Sequence, residues 1–113
     1  MTRTAIIKHL DGIWRKQVLG GSFTCEVCDM STTGPLDAHH YIKRTNLSLR
    51  FNIRNGIRLD RLCHTRAEKD PKWFAEEFKR IRPIDKHYDD EVAREPIRPW
   101  KDWELLDKLK EIR

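Results

Sequence analysis

The sequence predicts a small α+β fold: a β-hairpin followed by a helix, flanked by N- and C-terminal helices. Three observations predict it. Apolar residues recur at helical spacing near both ends of the chain. Two short runs with β-branched or aromatic residues stand either side of a turn signal in the middle. Paired cysteines and histidines are concentrated in that same middle stretch. A chain of 113 residues fits one compact domain, read here as a core at about 23–70 with flanking helices at about 3–19 and 71–113.

Arg3 to Leu19 reads as an amphipathic helix, with Ile6, Leu10, Ile13, Trp14 and Val18 at helical spacing and Gly20-Gly21 as its stop. Phe23 to Met30 holds Cys25 and Cys28 in a tight knuckle, and Ser31 to Gly34 is turn-like. Leu36 to Ile42 reads as a strand. Thr45 to Phe51 reads as a loop, Arg54-Asn55-Gly56 as a turn and Ile57 to Leu59 as the second strand. A helix is expected from near Leu62 or Cys63 to about Lys69. Asp70 suits the N-cap of the next helix and Pro71 its first position, with Trp73, Phe74, Phe78 and Ile81 buried. Pro83 is expected to stop that helix and leave Ile84 to Arg98 as a wrapped loop or linker. Pro99 then opens a last helix in which Trp100, Trp103, Leu106, Leu109 and Ile112 share a stripe. The four tryptophans fall on apolar helix faces and read as core.

Hydrophobic residues make up 38% of the chain and charged residues 36%, so the surface must be heavily charged. The net charge of +5 suits a polyanionic partner. The excess is local. Tyr41 to Arg66 carries Lys43, Arg44, Arg50, Arg54, Arg58, Arg61 and Arg66 against Asp60 alone. Those seven cations are the candidate phosphate contacts. No apolar run is long enough to cross a membrane, and no secretory leader pattern is present, so a cytoplasmic location without a membrane partner is expected. Three cysteines, two of them in Cys25-Glu-Val-Cys28, then point to metal binding or redox chemistry rather than a disulfide framework. The redox reading is disfavoured because no βαβ pattern surrounds Cys25.

The polar residues from His39 onward form a constellation. Successive strand side chains point to opposite faces, so His39 and His40 cannot do the same job. Asn55 follows His40 with 14 residues between, and His64 follows Asn55 with 8 between. Glu68 lies one helical turn after His64, on the same face. A strand pair followed by that helix would bring His39, His64 and Glu68 together. Phosphodiester hydrolysis suits such a set, because it needs a base near neutral pH and a cation at the phosphate. Too few carboxylates cluster here for two metals. His9 and His87 read as ordinary surface or core histidines.

His39-His40, Asn55 and His64 resemble the motif of HNH endonucleases, which have the ββα-metal fold. The spacing is similar to that of colicin-type nuclease domains. Asp37-Ala-His-His-Tyr-Ile, Leu49-Arg-Phe-Asn-Ile and Asn55-Gly-Ile-Arg-Leu also resemble phage-type HNH proteins, including a recombination-associated group. The likeness spans about Cys25 to Arg66. It implies that His39 and His64 are ligands of a catalytic metal, that His40 is the general base, and that Asn55 braces the loop and holds His40. Position 68, a histidine in colicin-type domains, is Glu68 here. A carboxylate there favours Mg²⁺ or Mn²⁺, with Zn²⁺ or Ni²⁺ as further candidates. The mechanism implied leaves a 5′-phosphate and a 3′-hydroxyl. Many HNH proteins also hold a structural zinc with two Cys-x-x-Cys pairs. Cys25, Cys28 and Cys63 match three positions, and Asp60 stands where the fourth cysteine would be.

The resemblance therefore implies an endonuclease or nickase acting on double-stranded or branched DNA, a hydrolase of a bacterial or phage-infected cell. Phage recombination or packaging proteins would be its protein partners, with monomer and dimer both open. The alternative is a non-catalytic, zinc-stapled DNA-binding or recombination accessory module.

Overall fold

A computed structural model describes residues 1–31 and 34–111. Thr32 and Thr33 in the expected turn, and Ile112 on the expected last stripe, lie outside the described residues. The elements run α1 (Arg3–Leu19), β1 (Asp37–His40), a 3₁₀ turn (Ile53–Asn55), β2 (Gly56–Leu59), α2 (Arg61–Lys69), α3 (Pro71–Ile81), α4 (Pro83–Ala93) and α5 (Asp102–Glu111). This is the α+β arrangement expected, with an antiparallel strand pair packed against helices and further helices at both ends.

Local chemistry sets most boundaries. The Thr2 hydroxyl accepts from the Ala5 amide at the start of α1, and Gly20, at φ 56°, ends the helix in the left-handed region. Asp60 caps α2 and Asp70 caps α3, each accepting from the amide three residues on, and Pro71 opens α3.

Four-residue strands cannot stand alone. β1 and β2 pair with Asp37 opposite Leu59 and His40 opposite Gly56, and helices clamp both faces. On one face His40 stacks on Trp14 of α1 with ring centroids 3.8 Å apart. On the other, the His39 ring meets His64 of α2 and Phe74 of α3 edge-on, each at 4.9 Å. Beneath β2, α2 and α3 lies one apolar cluster of Cys25, Leu36, Ile57, Leu59, Ala67, Phe74 and Phe78. A second joins α1 to α5 through Ile6, Leu10, Phe51, Trp100, Leu105 and Leu109.

Two expectations need correction. Residues 83–93 form a helix, α4, rather than a loop. Pro83 opens it, since the first helical position needs no amide proton. Its apolar content is too low to show a period, and polar contacts hold it instead. Asp85 accepts from Arg54 at 2.9 Å and Arg82 at 2.6 Å, and the Tyr41 hydroxyl donates to Asp90 at 2.6 Å. The Arg54 guanidinium also lies 3.9 Å from the Tyr88 ring centroid.

The last stripe is out of phase. α5 starts at Asp102, so Trp100 precedes it, held by its indole N–H donating to the Leu47 carbonyl at 2.8 Å. Leu105 and Leu109 are the buried pair, while Trp103 is 61% exposed and Leu106 36%. Trp103 is therefore not core.

The turn expected at Arg54-Asn55-Gly56 is the 3₁₀ turn Ile53–Asn55, and Gly56 leads from it into β2. Its backbone is extended, at φ −117°. Glycine is required there because a Cβ would collide with Val18 and come within 2.8 Å of Trp14 Cζ2. Gly56→Ala should therefore destabilise the fold by about 1–3 kcal/mol, read as a lower urea midpoint with unchanged slope.

Asp89 on α4 is fully buried, and neither carboxylate oxygen has a hydrogen-bond partner among the described residues. Burial, and then the neighbouring Asp85 and Asp90, push its carboxyl up to about 7 against the opposing pull of Arg54 and Arg82. The fold thus prefers the protonated acid. Its stability contribution is complete below the ordinary carboxylate range and is lost as pH rises through about 7. Asp89→Asn should raise Tm by several degrees at about pH 8 and by much less at about pH 4. A pH-independent Tm difference would exclude Asp89 as the source.

Candidate metal centre

Strand alternation builds the first cluster. Asp37 and His39 share one face of β1, and α2 presents His64 and Glu68 one turn apart to that face. One ligand atom each from His39, His64 and Glu68 lie within 4.8 Å of one another. His64 Nδ1 sits 2.8 Å from Asp37 Oδ2, which leaves Nε2 facing the cluster, 3.0 Å from Glu68 Oε1. A carboxylate behind a ligating imidazole fixes the ring and raises its basicity. Burial foremost, with His64 next, pushes His39 down to about 4, so at neutral pH it is an uncharged donor. Two imidazoles and a carboxylate fit a divalent ion.

His40 turns to the other face of β1. Its Nε2 lies 3.0 Å from the Arg50 carbonyl, and a carbonyl only accepts, so Nε2 carries the proton. Nδ1 is then left with its lone pair. Burial lowers the proton affinity of this ring too. Asn55 is completely buried. Its side-chain oxygen accepts from the Ile42 amide at 2.7 Å, and its amide group donates to the carbonyls of Ile42 at 2.9 Å and Leu49 at 3.3 Å. These bonds tie Asn55 to the loop at Ile42 and Leu49, and none of them reaches His40. Trp14 and the Arg50 carbonyl hold that ring.

Two positioning residues escaped the sequence reading of roles. Asp37 could have been found, because it stands two residues before His39 and so on the same strand face. The Trp14–His40 stack had no local signal, since 26 positions separate the two.

The expected phosphate contacts divide. Arg50 makes a double bond pair with Asp11 at 2.9 and 2.8 Å. Arg54 is held by Asp85, Arg58 donates to the Thr24 carbonyl at 2.8 Å, and Arg61 lies 3.2 Å from Asp37. Arg66 covers the Trp73 ring at 4.0 Å. Lys43 and Arg44 are exposed and have no ion pair among the described residues. They stand three and four residues after His40. His9 and His87 are exposed, in line with their ordinary reading.

The second cluster gathers Cys25, Cys28, Asp60 and Cys63, again with ligand atoms within 4.8 Å of one another. The knuckle places the first two. The Cys25 amide donates to Met30 and accepts back at its carbonyl from Asp29, which adopts φ 59°. Asp60 has two tasks. Oδ1 caps α2 through the Cys63 amide at 2.7 Å, and Oδ2 accepts from the Cys28 thiol at 3.1 Å. That cap, above all, keeps Asp60 below the usual carboxylate range. Burial raises Cys28 and Cys63, so both thiols are protonated in the metal-free protein. Three sulfurs and an ionised carboxylate at this separation fit a tetrahedral zinc.

Zinc binding must expel the thiol protons. Titration calorimetry in buffers of different ionisation enthalpy should therefore give buffer-dependent heats, and zinc should raise Tm. Asp60→Ala should lower the metal-free Tm only by the loss of a cap, about 1 kcal/mol, yet cut the zinc-induced rise well beyond that. Zinc that neither binds nor shifts Tm ends the assignment. Comparison with family models, with curated proteins and with solved structures finds no match to this chain.

Proposed function

We propose that residues 1–113 act as one HNH-type domain, a metal-dependent endonuclease or nickase that hydrolyses DNA phosphodiester bonds. The observation that supports this reading best is the division of labour across β1. His39 joins His64 and Glu68, His40 keeps a free Nδ1, and both histidines border the same cleft.

In this reading His39, His64 and Glu68 would hold a divalent ion, which would supply positive charge to offset the negative charge building on the leaving oxygen. Asp37 orients His64 for that task. His40 Nδ1 takes the proton of the attacking water, while Nε2–H stays on the Arg50 carbonyl and Trp14 fixes the ring plane. Lys43 and Arg44 contact phosphates on either side of the scissile bond. Cys25, Cys28, Cys63 and Asp60, holding zinc, tie the knuckle to the start of α2 and so set the position of His64.

Plasmid DNA incubated with the protein and Mg²⁺ or Mn²⁺ should be nicked or linearised, and EDTA should abolish it. His40→Ala should slow cleavage by about 10²–10⁴-fold. His39→Ala and His64→Ala should lose cleavage while retaining most DNA binding. Wild-type protein that binds but cuts no DNA form, branched and single-stranded included, would favour the non-catalytic accessory module instead.

A further inference from the structure

A cleft of about 490 Å³ opens beside the His39–His64–Glu68 cluster. Its two sides differ in chemistry. His39, His40, Glu68 and the exposed Lys43 make up its polar part, while Tyr41, Ile42, Ala67, Pro71 and Phe74 make up the rest. That apolar wall is preformed. Phe74 is buried against His39, and Tyr41 is locked by its hydroxyl on Asp90 and by stacking on Phe78 at 4.6 Å. Phosphate has no use for such a wall. A flat aromatic ring one step along a strand from a phosphate at the cluster does.

We infer that the cleft receives one unstacked nucleobase of the strand being cut, so that the preferred substrate is DNA unpaired at the scissile step rather than continuous duplex. The inference rests on the nuclease reading. A volume in this range is that of a small-ligand site, and the apolar–aromatic lining matches a base face without reading its edge, which implies little sequence selectivity. Lys43, exposed, free of any ion pair among the described residues and part of the same lining, is available to the next phosphate. In continuous duplex the base must first leave its stack and its partner, a cost that is least at gaps, branches and single strands.

The test uses full-length His40→Ala protein with Mg²⁺ and short single-stranded oligodeoxynucleotides in which one position at a time is abasic. Fluorescence anisotropy should find one position where removing the base weakens binding by about tenfold, and Pro71→Trp or Ile42→Trp, each checked for an unchanged melting profile, should flatten that dependence. Active protein should cut gapped or branched DNA about tenfold faster, or more, than matched duplex. A flat abasic profile together with equal cutting of duplex and gapped DNA overturns the inference and leaves the nuclease reading standing. A positional abasic effect without cleavage of any DNA keeps the base-binding cleft and removes the nuclease. A dimer in sedimentation that dissociates on Pro71→Trp assigns the cleft to a second copy of the chain and overturns the inference.

Discussion

The buried amide of Asn55 closes the excursion between the two strands, and the site depends on that closure. β1 and β2 are joined by a long segment, residues 41–55, with little regular structure. Such a segment carries many backbone donors and acceptors that must be satisfied if it is to be held inside. Asn55 satisfies three at once, two on Ile42 and one on Leu49, and its own carbonyl accepts from the Tyr41 amide. An aspartate could not donate the two amide protons, and an alanine would leave the groups unpaired. With the base of the loop fixed, the Arg50 carbonyl arrives where His40 needs it and Gly56 enters β2 beneath Trp14.

Much of the positive charge serves the same end. Arg50, Arg54 and Arg58 lie in the most basic segment, yet each spends its guanidinium on a carboxylate or carbonyl elsewhere in the chain. Arg82 does likewise, donating to the Gly56 carbonyl at 2.9 Å and to Asp85. Partly buried contacts of this kind, bidentate in the Arg50–Asp11 pair, fix geometry more than they add stability. They also convert part of a basic stretch that looks like a continuous binding face into a scaffold, and leave Lys43, Arg44, Arg61 and Arg66 exposed.

The candidate site was legible in the sequence to the extent that its spacing is local. His39 and His40 had to diverge because strand side chains alternate, and His64 and Glu68 had to share a face because they stand one helical turn apart. The knuckle of Cys25 and Cys28 was legible for the same reason. α4 was not legible, because a helix held by Asp85, Asp90 and Tyr88 through polar contacts shows no apolar period. Nor was the phase of α5, since Trp100 was counted inside a helix that begins two residues later.

The sequence by itself determined the element types other than α4, the cap at Asp70, and which residues could act as ligands, because these follow from nearest-neighbour chemistry along the chain. Only the tertiary structure decided what each ligand faces. Asp37 meets His64 across 27 positions, Trp14 meets His40 across 26, and Asp60 meets Cys28 across 32. Those distances along the chain are closed by helix packing on both faces of a strand pair too short to fold alone; the likeness to a zinc-binding cysteine pattern pointed to the last of them, and no period or motif pointed to the other two.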